Sequence, residues 1–323
     1  MYNTPILVTG LSGMIGSSIS EHLHDSYTFE DISTDSGIDI RDRDALVDLI
    51  RTSKASIVIH LAAKADVDTC EKDASADIKR LQELNIFHEE QLNRQRRINI
   101  SAIDWRQWRD VDTAFAINTI GSYNIASICK ELNKKLIYMS TDFVFDGKNA
   151  DAYLEEDMPN PINHYGKTKY WGELVVATIM QDYVIARTAF PYGTFHETKK
   201  DFVRMIRDRL EDHKQVSGIT DQIFTPTYAG DIAAAIGHLI DHSVSGNIFH
   251  IVGSEPLSPY DAVLAIAKQF GYDTHMIHQT TSAEFYKDHA PRPQTLAISN
   301  EKIVKRGVGM KSFTEGLSLI NNG

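Results

Sequence analysis

Apolar residues fall into short continuous runs, each followed by a stretch in which they recur at helical spacing. Ile6-Leu7-Val8-Thr9 is such a run and stops at Gly10; Met14, Ile15, Ile19 and Leu23 then mark one helix face, which predicts a strand, a tight turn and a helix. Residues 27–32 read as a second strand, Ala45, Leu46, Leu49 and Ile50 as a helix face, and Ile57-Val58-Ile59-His60-Leu61 as a strand. The pattern continues with a helix over 114–132, a strand at 136–139, a helix at 165–180, and strands at 183–186 and 248–252. Runs that are apolar throughout suit strands buried on both faces, and strands alternating with helices predict an α/β fold with a doubly wound parallel sheet. Residues 1–188, with a returning segment at 226–254, are expected to form a dinucleotide-binding domain of Rossmann type. Residues 189–323 are expected to be mainly a smaller substrate-binding domain over the carboxyl edge of the sheet.

One stretch breaks the alternation. Residues 74–110 are dense in charge (Lys79, Arg80, Glu83, Glu89, Glu90, Arg94, Arg96, Arg97) and then carry Trp105 and Trp108, so they read as an insertion. Charges at helical spacing predict a solvated face; a lid or an oligomer contact anchored by the two tryptophans is the alternative.

Composition narrows the function. The 323 residues, 42% hydrophobic and 24% charged, are enough for a sizeable core. A formal charge of -11 argues against an electrostatic hold on nucleic acid or an anionic membrane, and no run is apolar enough to span a bilayer. A cytoplasmic protein with no nucleic-acid or membrane partner is expected; a homodimer stays open. Cys70 and Cys129 belong to no C-x-x-C cluster and read as reduced thiols, and the histidines form no close metal-like pair on one face, so no metal is expected.

Gly10-Leu11-Ser12-Gly13-Met14-Ile15-Gly16 is a G-x-x-G-x-x-G loop between a strand and a helix. Glycines allow the turn and a close approach of backbone N–H groups to a pyrophosphate, whose charge the helix N-terminus favours. Thr34 and Asp35 follow the second strand at about the distance where an acidic residue takes the adenosine ribose hydroxyls of NAD, and no Arg or Lys there answers a 2′-phosphate. The cofactor is therefore NAD or NADP with the balance toward NAD, while Asp35 as a plain turn residue remains open. Asp39 and Ile40 are candidates for the adenine, with Asp42 as a helix cap. Leu61, Ala62 and Ala63 end a strand that would face the cofactor. Lys64 is placed either on a diphosphate or in solvent.

Ser140-Thr141-Asp142 ends a strand, and Tyr165 and Lys169 lie one turn apart on a helix. Bringing a tyrosine into acid/base use near neutrality takes about 4 kcal/mol, which one ammonium about 4 Å away can supply at an effective dielectric of 20. Taken alone, Y-x-x-x-K is a common surface spacing. The glycine loop upstream and Thr141 between are what turn it into a candidate site.

With these residues in hand, the chain resembles the extended short-chain dehydrogenase/reductases, and within them most closely the dTDP-4-dehydrorhamnose reductase family. The resemblance rests on Ser140-Thr141-Asp142-Phe143-Val144-Phe145-Asp146-Gly147, on Tyr165-Gly166-Lys167-Thr168-Lys169 with Gly172-Glu173, and on Arg187-Thr188-Ala189-Phe190. It continues through Asp221-Gln222, Pro226-Thr227 and Arg292-Pro293. It implies NAD(P)H-dependent reduction of a 4-keto group on a nucleotide-diphosphate sugar, with Thr141, Tyr165 and Lys169 as catalytic residues. Tyr165 would donate the proton and Lys169 would lower its pKa and hold the nicotinamide ribose. Asp142 would bind a sugar hydroxyl, Val67, Phe143 and Phe190 would border the sugar, Arg292 would clamp phosphate, and Asn118 would be architectural.

Two departures matter. The family usually has Tyr at the place of Phe143 and often Trp at that of Phe190, which leaves the particular sugar open. Related 4,6-dehydratases carry a Glu where this chain has Phe143, and a phenyl ring cannot transfer a proton, so dehydration is disfavoured. A nucleotide-sugar epimerase is one alternative. The other is a non-catalytic NAD(P)-binding regulatory subunit, against which the complete triad counts.

Overall fold

The computed structural model describes residues 4–86, 98–196, 198–242 and 244–320. Five runs of the sequence pattern become strands of one parallel sheet: β1 (Thr4–Thr9), β2 (Tyr27–Ile32), β3 (Ile57–His60), β4 (Lys135–Thr141) and β5 (Tyr183–Thr188). The returning segment adds β9 (Asn247–His250) beside β5, which gives the order β2-β1-β3-β4-β5-β9. Side chains along β1 alternate between two cores. Ile6 and Val8 pack with Ile232, Ile236 and Leu239 on one face, and Leu7 packs with Leu46, Ile50, Ile125 and Val176 on the other. Burial on both faces explains why these strands read as unbroken apolar runs.

Helices α1 (Met14–Leu23) and α7 (Ala229–Asp241) cover the first face, and α2 (Arg43–Thr52), α4 (Gly121–Glu131) and α5 (His164–Ile179) cover the second. The chain therefore changes sides between β1 and β3, and at such a switch point the carboxyl ends of the strands leave a crevice for ligand. Helix α3 (Val67–Glu83) begins just beyond β3. After β5 the chain makes two small parallel pairs, β6 (Pro191–Tyr192) with β8 (Thr227–Tyr228), and β7 (Val216–Ile219) with β10 (Ile277–Thr280). Helices α6 (Phe202–Glu211) and α8 (Pro259–Phe270) and the short α9 (Ser282–Phe285), α10 (Glu301–Val304) and α11 (Phe313–Ser318) complete this part.

The helix expected over 114–132 contains a π turn at Ala116–Ile120 before α4. Both ends of that irregularity are bonded. The amides of Ala114 and Phe115 donate to Asp73 and Asp77 of α3, and Thr119 Oγ1 donates to the Thr168 carbonyl of α5. Asn118, inside the turn, accepts from Lys64 N at 2.8 Å and donates to Lys64 O at 3.0 Å, so the expected architectural asparagine holds the loop after β3. Both cysteines are buried and unpaired with each other. Among the described residues, no helix is long and apolar enough to cross a membrane and no group of three or more His, Cys, Asp or Glu residues could hold a metal.

Candidate active site

The floor is built mostly from backbone. Gly10 sits at φ 72°, and a Cβ on it would lie 2.9 Å from Ala62 N, so only glycine passes β1 into the turn this close to the end of β3. Gly16 lies inside α1, where a Cβ would lie 2.5 Å from Gly10 O; its role is close helix–strand packing. Gly13 is the N-cap of α1 and supplies no capping side chain, which leaves first-turn amides open to an anion. A cavity of about 460 Å³ opens here, and of the expected cofactor residues Gly10, Ser12, Gly13, Thr34, Asp39, Ile40, Leu61, Ala62, Ala63 and Lys64 line it.

Six expected contacts do not line it, Tyr165 and Lys169 of α5 among them. Met14, Ile15 and Gly16 belong to α1 and are absent from the lining, and Asp35 stands exposed beside it. Ser36 N bonds Ser33 O and Gly37 N bonds Thr34 O, a tight turn that carries Asp35 out over solvent. Asp42 caps α2 by accepting from Ala45 N. Sequence reasoning missed two cations on the lining, Arg41 and Lys199. Arg41 is already held by Asp39, with Nη2 2.6 Å from Oδ2, and by the Val111 carbonyl. Lys199 comes from the segment before α6, and its ammonium has no partner among the described residues.

Under this floor His60 joins Thr9 Oγ1 at 2.6 Å to Ser122 Oγ at 3.1 Å. Burial, with Lys169 nearby, pushes the imidazole down to about 3, so it is a neutral bridge between β1 and α4.

The expected catalytic side chains gather near the carboxyl end of β4. Thr141 ends that strand, and α5 starts under the Asn163 cap, whose Oδ1 accepts from Gly166 N. Tyr165, in the first turn of α5, has its phenol near enough to Thr141 for the threonine hydroxyl to favour the ionised form slightly. Burial raises the Tyr165 pKa, against a smaller lowering by Thr141. Lys169 does not lower it here: its Nζ donates to Met139 O at 2.7 Å and lies over the Tyr138 ring, and burial brings Lys169 itself down to about 7. The expected ammonium effect on Tyr165 is thus not what this arrangement produces. Thr141 Oγ1 donates to Asp142 Oδ1 at 2.9 Å, the other Asp142 oxygen is buried without a partner, and burial pushes Asp142 up to about 7.

Around Tyr165 the expected sugar-side residues converge. Phe143 meets the Tyr165 ring edge-on at 5.8 Å and Phe190 at 6.0 Å, and Val67 packs into the same cluster. Phe190 is held at φ 39°, a left-handed conformation costly for an aromatic residue, between Phe143 and Phe224. Arg292 is close in the chain fold to Val67 through its neighbour Asp68, and it is engaged: Nη1 and Nη2 bond the two Asp68 oxygens at 2.7 and 2.9 Å. Lys64 is paired with Asp73 at 2.8 Å while still lining the cavity.

The family model described as the RmlD substrate binding domain matches residues 4–86 and 106–322. The chain belongs to this family. It is 28% identical over 315 residues to the Bacillus subtilis spore coat polysaccharide biosynthesis protein SpsK, covering 97% of this chain and 95% of that one. It is 27% identical to the dTDP-4-dehydrorhamnose reductase of Aggregatibacter actinomycetemcomitans, covering 92% and 91%. The crystal structure of dTDP-4-dehydrorhamnose reductase from Bacillus anthracis in complex with NADP superposes with a TM-score of 0.80 at 26% identity, covering 98% of each chain.

The family match also redraws the insertion. It breaks after 86, not at 74, because residues 74–83 simply continue α3. Trp108 is fully buried and Trp105 nearly so, in a cluster with Leu81, Ile103, Phe115, Trp171 and Val175. The two tryptophans therefore anchor the segment on the outer side of α5 within the same chain, rather than serving as a free lid or an exposed contact. Glu89, Glu90, Arg94, Arg96 and Arg97 lie outside the described residues.

The family fold also brings together buried pairs that the sequence did not suggest. His164 Nε2 lies 2.7 Å from Asp77 Oδ2, and His164 N donates to Glu71, so two carboxylates of α3 grip the first residue of the helix that carries Tyr165. Farther along, Glu173 takes Arg187 of β5 in a two-point bond at 2.9 and 2.8 Å.

Proposed function

We propose that the chain is a reductase that uses a nicotinamide cofactor to convert a ketone at C4 of a nucleotide-diphosphate sugar into an alcohol. The observation that carries this reading is the Tyr165 phenol beside Thr141, with Phe143 packed edge-on against the tyrosine ring. One hydroxyl there holds a proton to give, and no carboxylate stands where elimination of water would need a base. Family membership and the named reductases among its relatives support the same class.

The cavity fits the cofactor. Gly10, Ser12, Gly13 and the open amides of α1 would hold its pyrophosphate, Thr34, Asp39 and Ile40 its adenosine end, and Ala62 and Ala63 would lie along it. When bound, the nicotinamide supplies the hydride taken up by the carbonyl carbon. Tyr165, kept protonated by burial, donates its proton to the carbonyl oxygen. The Thr141 hydroxyl turns from Asp142 to orient that oxygen, and the unpartnered Asp142 oxygen accepts a sugar hydroxyl. Lys169, near neutrality through burial, is able to return a proton to Tyr165.

On NADH against NADPH, Arg41 is neutralised by Asp39, which leaves Lys199 as the cation available to a 2′-phosphate. We read the site as accepting both cofactors. The test is a screen of nucleotide-4-ketosugars with NADH and NADPH, following loss of nicotinamide absorbance and identifying the product. Stoichiometric oxidation with a new alcohol is expected. Conversion of sugar without net oxidation would instead establish an epimerase.

A further inference from the structure

One half-buried carboxylate at the start of α3 is bonded unusually heavily. Asp68, the second residue of α3, accepts from Arg292 Nη1 at 2.7 Å, Arg292 Nη2 at 2.9 Å, His289 Nδ1 at 2.9 Å and Ala290 N at 2.8 Å. Every donor comes from a single short stretch more than two hundred residues away in sequence. These bonds, the Arg292 pair foremost, hold the Asp68 carboxyl well below the usual carboxylate range.

The geometry leaves part of Arg292 unused. A guanidinium carries five N–H donors in a rigid plane. Its end-on pair, one hydrogen from each Nη, is spent on Asp68, and the second Nη1 hydrogen goes to Ala290 O at 2.7 Å. What remains are Nε–H and one Nη2–H, which point in parallel from the side edge of the plane and have no partner among the described residues. Two parallel donors on one edge match two oxygens of a phosphate. The plane is fixed as well, since the guanidinium carbon lies 5.1 Å from the centre of the Tyr286 ring. Beside Asp68 in α3 is Val67, which packs into the cluster of Phe143, Tyr165 and Phe190.

We propose that Asp68 is a positioning residue: it holds Arg292 by its end edge so that the side edge is presented to the diphosphate of the substrate. The inference rests on the nucleotide-sugar reading above. Asp68 also neutralises Arg292, which weakens a purely Coulombic pull on phosphate. Orientation is the larger effect here, because an arginine freed from Asp68 has a long flexible stem to immobilise on binding, whereas the held one has its plane and one edge already set.

The test measures binding to the full chain by calorimetry, taking the tightest of a panel of nucleoside diphosphates as the probe. It also measures KM and kcat with the ketosugar nucleotide from the screen. Arg292→Ala is expected to weaken the diphosphate by about 100-fold, the loss of two charge-assisted bonds. Asp68→Asn is expected to weaken it by about 10-fold and to raise KM equally, with kcat and the cofactor KM unchanged, since one misplaced donor pair costs about one such bond. Asp68→Glu, which keeps the carboxylate but shifts it by one methylene, should fall between wild type and Asp68→Asn and guards against a folding artefact, as does thermal unfolding of each variant.

Unchanged or tighter diphosphate binding in Asp68→Asn, with Arg292→Ala still weakened, overturns the positioning role alone; the tighter outcome would mean that Asp68 competes with the phosphate. If Arg292→Ala leaves binding unchanged, the placement of the diphosphate at Arg292 falls, and the role of Asp68 falls with it.

Discussion

The two sides of the cleft solve the problem of an open site in different ways. On the cofactor side, Gly10, Gly13, Ala62 and Ala63 offer backbone and small side chains, the bridging His60 beneath them is neutral, and the paired Arg41 and Lys64 stand at the rim. On the reaction side charged side chains are held by carboxylates of α3 and α5, Arg292 by Asp68 and Arg187 by Glu173, with His164 bonded to Asp77. A backbone cradle needs no counter-charge while it waits for its ligand. Charged groups in a half-closed cleft do, because leaving one unpaired costs more than pairing it gains. The contrast teaches that the cofactor side should fail through shape and the reaction side through unbalanced charge.

The largest effect should come from breaking the deepest of these pairs. Asp77→Ala strands His164 and the Phe115 amide at a site with no solvent, and a loss of about 3 kcal/mol of unfolding free energy is expected from urea titration. A loss below about 0.5 kcal/mol, the size of an ordinary surface substitution, would remove the charge-matching argument. Next is Gly10→Ala. With φ at 72° and Ala62 N at 2.9 Å, strain of about 2 kcal/mol should weaken cofactor binding by roughly 30-fold and leave diphosphate binding intact. Equal losses of both ligands would erase the distinction between the two sides.

A smaller effect concerns pH. Burial raises the Asp142 pKa to about 7 in the folded chain, against about 3.9 when unfolded, so between these values the folded state binds the extra proton and loses stability as pH rises. Lys169 has the opposite sense: its folded pKa is lowered to about 7 from about 10.4, so the unfolded state binds more protons and stability rises with pH above 7. Asp142→Asn should therefore gain stability relative to wild type as pH goes from about 4 to about 7, and Lys169→Met should lose ground relative to wild type from about 7 to about 10. Flat differences across those windows would mean that both groups are better solvated than their burial indicates. The smallest effect is expected from Lys199→Ala, a few-fold rise in KM that is larger for NADPH than for NADH and shrinks with added salt, as suits an exposed ammonium. An equal rise for both cofactors would move Lys199 from the 2′-phosphate to the pyrophosphate.

The cofactor side was also the more legible in sequence, for the same reason. Gly10-Leu11-Ser12-Gly13 is a local motif set by one turn, and its flanking strand and helix follow from the apolar spacing of the adjacent residues. Asp35 stands exposed because the turn at Ser33–Gly37 closes on its own backbone bonds, the turn-residue alternative that its spacing left open. On the reaction side, Thr141, Tyr165 and Phe143 could be read from strand end and helix start, but their supports could not. Asp77 meets His164 because α3 packs against α5, and Asp68 meets Arg292 because the 289–292 stretch returns to the start of α3; no local spacing encodes either meeting. Trp105 and Trp108 were hidden differently: dense surrounding charge suggested solvent, while the rings themselves complete a core against Trp171 and Phe115.

The account turns on Tyr165 as the proton donor to a sugar ketone. Its most direct test is single-turnover reduction of the ketosugar nucleotide by wild type and Tyr165→Phe, with cofactor and diphosphate affinities measured alongside. The account predicts that the variant binds both ligands as wild type does and oxidises NAD(P)H at least about 100-fold more slowly, the usual worth of a positioned general acid. A variant that reduces the ketone within a few-fold of the wild-type rate would contradict it.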